Sequence, residues 1–412
     1  MSRRDDAPLA LVMGDIDMVR ALGVAGVSSA FFGFADDAAR RSRHVRVALP
    51  WIDQWDRPDD IVAALLDLAR SLPEPPVLFP QTDATLLLAS RHRDRLGEAL
   101  RLTLADADLI EQLVDKGRFQ ALAARHALPV PRAQRLRPEA GAPLPVLEVP
   151  YPLIVKPLTR TPAWSAFAGS GKAIDLRDAA EFAALWPQLR LVGTEVLAQQ
   201  RIPGPESRIE SFHVYVDASG AIAGEFTGRK IRTFPPDYGQ STAVEVVPLA
   251  DVAAMGREVV GRLGLRGVAK LDFKRDERGG LHLLEINPRF NLWHYPGALA
   301  GVNLPALVYA DLTGSPRPAV AARSRAVEWC DPLQDLRAVH AAGISKVAWL
   351  RWLRGCDAIC GLARADPAPF LIGKVWPAVW RRVGLPRLSA GRRSAATPDA
   401  PRAAGGTPDS RG

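Results

Sequence analysis

Apolar positions in the first hundred residues follow two rhythms. Short solid runs, LALVMG (Leu9–Gly14), SSAFFG, HVRVALP and PVLFP, alternate with stretches whose apolar residues recur every three or four positions, DIDMVRALGVAG and DDIVAALLDLARSL. Solid runs read as strands buried on both faces, and the 3.6-residue rhythm reads as crossover helices. Their alternation predicts a parallel sheet of α/β type. Gly14, Gly23 and Gly26 do not make a GxGxxG turn, so no dinucleotide fingerprint is expected in this part.

From Asp106 the rhythm changes. DADLIEQLVDKGRFQALAARHALPVPRA predicts two helical segments stopped by Pro129 and Pro131, and YPLIVKP a strand ending in Lys156. LTRTPAWSAFAGSGKA reads as a loop. A helix over Asp178–Leu185 and a strand in TEVLAQQRIPG follow. Alternation on both sides of Ala218-Ser219-Gly220 predicts a long hairpin, and Val252–Leu263 a helix. AKLDFKRDERGGLHLLEINPRFN (Ala269–Asn291) reads as two strands joined at a Gly-Gly turn. Asp272 stands on the first strand, with Glu285, Asn287 and Arg289 on alternate positions of the second, so one sheet face gathers all four. GALAGVNLPALVYADLTG reads as one helix, as do VEWCDPLQDLRAVHAAG and KVAWLRWLRG. The last stretch, Arg387–Gly412, has too few large apolar groups to offset its ordering entropy and is expected to be disordered.

Composition narrows the picture. With 412 residues, 48% of them apolar, the chain can bury more than one core. A net charge of +8 favours anionic partners. Three cysteines, Cys330, Cys356 and Cys360, form no CxxC pair, which argues against a disulfide framework or a zinc site and for a reducing, cytoplasmic setting. The apolar run near the N-terminus is too short for a signal peptide, and no stretch reaches the roughly 20 apolar residues that span a bilayer. A soluble protein is expected.

The hairpin carries the chemistry. Two carboxylates and an amide oxygen, Asp272, Glu285 and Asn287, are hard ligands suited to Mg²⁺, which keeps waters and substrate phosphates in its other positions. A solvated hairpin face is the plain alternative, but Leu283, Leu284 and Ile286 point to a strand largely inside the protein, where unpaired carboxylates are costly. Lys116 follows Asp115 at a helix start, Lys156 ends a buried strand, and Lys230 lies between Arg229 and Arg232. Beside a magnesium site these lysines suit the phosphates of a nucleoside triphosphate.

The order of these pieces, DK at a helix start, VKP, QQRIPG, a hairpin, LDF and LLEINPRF, resembles the ATP-grasp superfamily of carboxylate–amine ligases over about residues 8 to 315. VLFPQTDATLLLASRHRDRL and NPRFNLWHYPGALAGVNLP resemble its branch related to D-aspartate ligase and the large subunit of carbamoyl phosphate synthase. The resemblance implies a parallel-sheet preATP-grasp domain at 1–105 and an ATP-grasp domain at 106–315, with a lid at about 135–200 and a central antiparallel sheet for ATP and magnesium. A helical extension at 316–386 and the tail from 387 complete the chain. Carried over by position, Lys116 and Lys156 hold the α- and β-phosphates, and Gln199, Gln200, Arg201 and Ile202 form the adenine-contacting hinge. Glu206 takes the ribose hydroxyls, while Asp272, Glu285 and Asn287 hold one or two Mg²⁺, with Mn²⁺ as a substitute. Lys270 and Arg289, with Lys230 in support, face the γ-phosphate and the acyl-phosphate oxygens. Two features depart from the pattern: glutamines stand where the hinge usually has an acid, and the phosphate loop is poor in glycine, leaving Ser170, Gly171 and Lys172 as its phosphate contacts. A P-loop reading of GSGK fails, because Ala166 and Ala173 occupy required positions.

The implied activity activates a carboxylate with ATP and joins it to an amine, with small-molecule substrates, no nucleic acid, no firm membrane association and compatibility with a homodimer. The alternative is an inactive nucleotide-binding sensor or scaffold of the same fold; a membrane-surface assembly factor is a third reading. Tyr238, Gln240, Ser241 and Thr242, and beyond the metal strand Asn291, Trp293 and His294, are candidates to line the acceptor pocket, with His294 also readable as a structural histidine. Cys356 and Cys360 read as buried thiols at helical spacing. The Trp/Arg-rich segment from Lys346 to Gly384 has the composition of an interfacial helix, but a helical cap packed on the core is the favoured reading.

Overall fold

The solid runs of the first hundred residues pair as expected. In the computed structural model, which describes residues 7–158, 162–168, 173–321 and 325–372, β1 (Ala10–Met13), β2 (Ser29–Gly33), β3 (Val45–Pro50) and β4 (Val77–Pro80) form a parallel sheet in the order β3-β2-β1-β4. Both faces are covered. Leu11 and Met13 pack with Ile61, Val62 and Leu65 of the helix Pro58–Ser71, while Ala10 and Val12 face a second core. The helix Ile16–Val24 starts at Asp15, whose carboxylate accepts from the backbone N–H groups of Asp17 (3.0 Å) and Met18 (3.1 Å).

The chain divides into two compact units. Met1–Val114, Ala121–Val130 and Ile202–Pro386 make the larger one; Asp115–Gln120 and Pro131–Arg201 belong to the smaller. The smaller unit is an antiparallel sheet, β5 (Ala133–Leu136), β6 (Leu153–Pro157), β7 (Ile174–Leu176) and β8 (Val196–Gln200), in the order β5-β8-β6-β7. The helix Ala179–Val192 packs on it through Phe182, Leu185, Trp186 and Leu189. It runs well past the expected end and through Pro187, because burial of Trp186 and Leu189 outweighs local propensity. The expected loop after β6 contains a helix, Pro162–Ala168, anchored by the buried Trp164. Ser170, Gly171 and Lys172 lie outside the described residues, as does everything from Gly373 onward, including the expected disordered tail.

The larger unit also holds a seven-stranded sheet. Its strands are β9 (Ile209–Val216), β10 (Ile222–Phe234), β11 (Gln240–Val246), β12 (Gly267–Arg275), β13 (Leu281–Asn287), β14 (Val327–Cys330) and β15 (Ala358–Ile359), in the order β13-β12-β9-β10-β11-β14-β15. Tyr215, Phe226, Val244 and Val246 from this sheet share one core with Ala10, Val12 and Phe79 of the parallel sheet. Two expectations change here. VEWC is a strand rather than the start of a helix, since Val327–Cys330 pairs antiparallel with β11. The single helix expected between Gly297 and Gly314 is two, His294–Leu299 and Leu304–Thr313, with Gly301 at φ 93° in the turn and Asn303 capping the second. Cys356 and Cys360 flank β15 rather than sharing a helix, and both are half-buried.

Candidate functional site

The hairpin β12–β13 turns through Asp276, whose carboxylate accepts from the N–H groups of Arg278 (2.9 Å) and Gly280 (2.8 Å), with Gly279 at φ 87°. Its register sets Asp272 directly opposite Glu285 and Lys270 opposite Asn287. On the other side of β12, β9 sets Ser211 opposite Asp272 and His213 opposite Lys270. Residues directly opposed share a face. That face therefore runs Glu285, Asp272, Ser211 across one row and Asn287, Lys270, His213 across the next.

Asp272 is the centre. It is 2% exposed, accepts from the Ser211 hydroxyl, and lies 2.6 Å from the Lys270 ammonium. Burial alone would raise its carboxyl, but the charges of Lys270 and Lys230 and hydrogen bonds from Lys270 and Ser211 outweigh it, bringing the value down to about 2. Asp272 is ionised and compensated, as a buried carboxylate must be. Glu285 is different. β13 is the edge strand, Leu284 is half-buried and Glu285 is exposed, so the expectation of a strand largely inside the protein does not extend to this side chain. Its Oε1 accepts from Asn287 Nδ2 at 3.1 Å, and Asn287 Oδ1 accepts from Arg289 Nη2 at 3.1 Å.

Arg289 is held from below. Its Nε lies 2.5 Å from Asp83, at the start of the helix after β4, and its Nη1 donates to the carbonyl of Gln81 at 3.3 Å. The hairpin and the loop after β4 are thus bound through one guanidinium. Glu206 opens a short 3₁₀ turn before β9 and pairs with Lys274 of β12 at 3.5 Å. Lys230 projects from β10 on the same face as Phe226 and Gly228, and it is the second cation felt by Asp272.

The aromatic end of this face is packed solid. His213 stacks on Phe226 with centroids 4.4 Å apart, and Trp293 lies against Gly228, where a Cβ would come within 2.6 Å of the indole. Trp293 and His294 are fully buried, and neither ring nitrogen of His294 has a hydrogen-bond partner among the described residues. Burial pushes His294 down to about 3; burial, then the charge of Lys270, push His213 well below its ordinary range. Both rings are neutral. The Thr242 hydroxyl donates to Asp335 at 2.7 Å.

Within the smaller unit, the half-buried Lys156 donates to Gln199 Oε1 at 2.8 Å. Gln199 is 4% exposed and its Nε2 has no partner. The N–H of Gln200 reaches the carbonyl of Arg132 (2.8 Å), that of Arg201 the carbonyl of Pro152 (2.9 Å), and the Arg201 side chain pairs with Asp175 at 3.0 Å. Lys116 is exposed at the start of the helix Lys116–Arg125, and Ile202 is buried in the larger unit.

The donor set suits a small hard dication. Among the described residues no three His, Cys, Asp or Glu side chains gather as a metal site. Asp272 and Glu285 with Asn287 make a two-carboxylate set, which leaves positions for water and phosphate as Mg²⁺ requires. Sequence reasoning missed Ser211, His213 and Lys274. The period-two pattern of ESFHVYV carried a signal for the first two, since Ser211, His213 and Tyr215 alternate with Phe212, Val214 and Val216.

Comparison with known proteins agrees with this architecture. Residues 223–331 match the family described as ATP-grasp in the biosynthetic pathway with Ter operon. The chain is 24% identical to D-aspartate ligase of Enterococcus faecium over 292 residues, 68% of this chain and 69% of that protein. It is 26% identical to D-alanine--D-alanine ligase of Stutzerimonas stutzeri over 191 residues, 45% of this chain and about half, 56%, of that one. Among solved structures, the ADP complex of N5-carboxyaminoimidazole ribonucleotide synthetase superposes with a TM-score of 0.58 at 14% identity, covering 78% of this chain and 81% of that one. An L-amino acid ligase from Bacillus licheniformis gives 0.57 at 16% identity, covering 78% and 79%. With its paired sheets and acidic hairpin, the chain has the fold of these solved structures, and its sequence is similar to ATP-grasp ligases, with residues 223–331 matching an ATP-grasp family model.

Proposed function

We propose that this protein is an ATP-dependent carboxylate–amine ligase that works through an acyl phosphate. The observation that carries the reading is the register setting Asp272 opposite Glu285 and Lys270 opposite Asn287 on one face, with Lys230 close enough to depress the Asp272 carboxyl. A carboxylate is a poor electrophile. Its oxygen attacks the γ-phosphorus of ATP, the bond from that phosphorus to the bridging oxygen breaks, and ADP leaves. The amine nitrogen then attacks the acyl carbon, inorganic phosphate departs with the C–O bonding pair, and the nitrogen loses a proton. No side-chain nucleophile is needed.

In this reading Asp272, Glu285 and Asn287 hold Mg²⁺, which when bound neutralises phosphate charge. Lys270, Lys230 and Arg289 counter the negative charge that builds on the transferring phosphoryl group. Ser211 and Lys270 fix the orientation of Asp272 and keep it ionised while buried. Lys116, Lys156 and Lys172 bind phosphate oxygens, Gln199, Gln200, Arg201 and Ile202 meet the adenine, and Glu206 the ribose. The relatives that are amino-acid ligases support amino acids as substrates.

Purified protein with Mg-ATP and a matrix of amino acids and amines tests the proposal. ADP release that requires both a carboxylate and an amine is the expected result. ATP bound without any turnover across the matrix, and without phosphate release, would instead favour the inactive nucleotide-binding reading.

A further inference from the structure

The helix Pro332–Ala341 packs on β10 and β11 of the large sheet and against the helix Lys346–Leu353, while the acidic hairpin β12–β13 forms the far edge of that sheet. Their inner faces are firmly held. Asp335, fully buried, accepts from Arg232 through both oxygens (2.7 and 2.8 Å), from Thr242 (2.7 Å) and from Trp349 Nε1 (2.8 Å). Trp352 lies under the Arg232 guanidinium, 4.1 Å from it. Trp349 and Trp352 therefore serve the cap reading, while Trp376 and Trp380 lie outside the described residues.

The outer faces repeat one pattern. On the first helix Leu333, Leu336, Arg337 and His340 are exposed; on the second, Val347, Leu350, Arg351 and Arg354. Each set has the spacing i, i+3, i+4, i+7, which is a single helical stripe. Leu333 is 62% exposed and Val347 67%, and Ile344 adds a further exposed apolar side chain in the turn between the helices. From Pro332 to Cys356 the only carboxylate is Asp335, and it is turned inward, whereas Arg337, Lys346, Arg351 and Arg354 are all outward. Among the described residues none of these four has a carboxylate partner, although arginines elsewhere on the surface are paired repeatedly.

We propose that this pair of helices is a docking surface for an anionic lipid bilayer. Exposed large apolar side chains, two of which, Leu336 and Leu350, are followed one position later by arginine on the same stripe, match a boundary where acyl chains lie beneath negatively charged headgroups. A free acidic protein would be met by the cations but leaves the isolated leucines and valine without cover. Each cation brought to such a surface is worth roughly a fivefold gain in partitioning, less at high salt. Among the described residues no helix is long and apolar enough to cross a membrane.

Full-length protein is sedimented with phosphatidylglycerol-containing vesicles and with phosphatidylcholine vesicles, beside Val347→Asp/Leu350→Asp and Leu333→Asp/Leu336→Asp variants. These positions are exposed, so circular dichroism and melting should match the parent. Preference for the anionic vesicles, weakened by salt and reduced at least tenfold in both variants, supports the assignment. Equal binding to both vesicle types, or variants that bind as the parent does, overturns it. A loss of self-association in the variants with vesicle binding unchanged would assign the stripes to a second copy of the chain instead.

Discussion

Replacing Lys270 by Met keeps the aliphatic stem and removes the charge 2.6 Å from a carboxylate that is 2% exposed. In the parent, Asp272 is brought from an ordinary value of 3.8 to about 2. That lowering corresponds to about 2–3 kcal/mol of stabilisation at neutral pH. The sign follows from linkage: a depressed acid contributes fully above its unfolded value, and the contribution fades as pH falls from 3.8 towards 2. Without Lys270, burial is opposed only by Lys230 and the Ser211 hydroxyl, so the carboxyl rises and its ionised form becomes a cost. The total loss near pH 7 should be about 3–5 kcal/mol, the range for breaking a buried pair. Urea unfolding of parent and variant at about pH 7 and about pH 3 measures it. The gap between the two midpoints should narrow markedly at the lower pH. A gap of the same size at both would mean that Lys270 contributes through packing, and the electrostatic account of Asp272 would fail. ATP turnover should also be lost in this variant.

Glu285→Gln should abolish turnover and leave the melting temperature within experimental scatter, because the side chain is exposed on an edge strand and only a ligand charge is removed. Asp335→Asn should cost about 3–5 kcal/mol in urea titrations, since Arg232 is left without its counter-ion in a half-buried site. Asp17 is raised to about 7 by burial and the neighbouring Asp15, so its ionisation weakens the fold as pH climbs from 3.8 to about 7. Asp17→Asn, able to keep the acceptor for Trp329 Nε1, should therefore stabilise by about 2–4 kcal/mol near pH 8 and by little near pH 4, read from melting curves at the two pH values.

Much of this was open to reading because strands announce themselves by a period of two. The alternation of Glu285, Asn287 and Arg289 against Leu284, Ile286 and Pro288 required no knowledge of the rest of the fold. What alternation cannot supply is the neighbour. Ser211 meets Asp272 only through the β9–β12 register, and Arg289 meets Asp83 across 206 positions. Exposure of Glu285 depends on β13 being an edge, a property of strand order that no local pattern encodes. VEWC was misread because four apolar-rich residues before a capping Asp331-Pro332 suit a helix start as well as a strand end. The short helix Pro162–Ala168 was hidden in a segment whose Gly, Ser and Thr content suggested a loop.

The pairing of Val327–Cys330 with β11 bears on where the chain can be cut. The family match stops at residue 331, just past this strand, and the parallel partner Ala358–Ile359 lies further on. A fragment ending before Val327 would bare the main-chain donors and acceptors of Ala243–Val246 and remove the cover from Val244 and Val246. Such an unpaired flank recruits other chains. The large sheet is therefore not separable at the end of the family match: shortened versions should keep residues through the second of these strands, or they will precipitate for reasons unrelated to ATP.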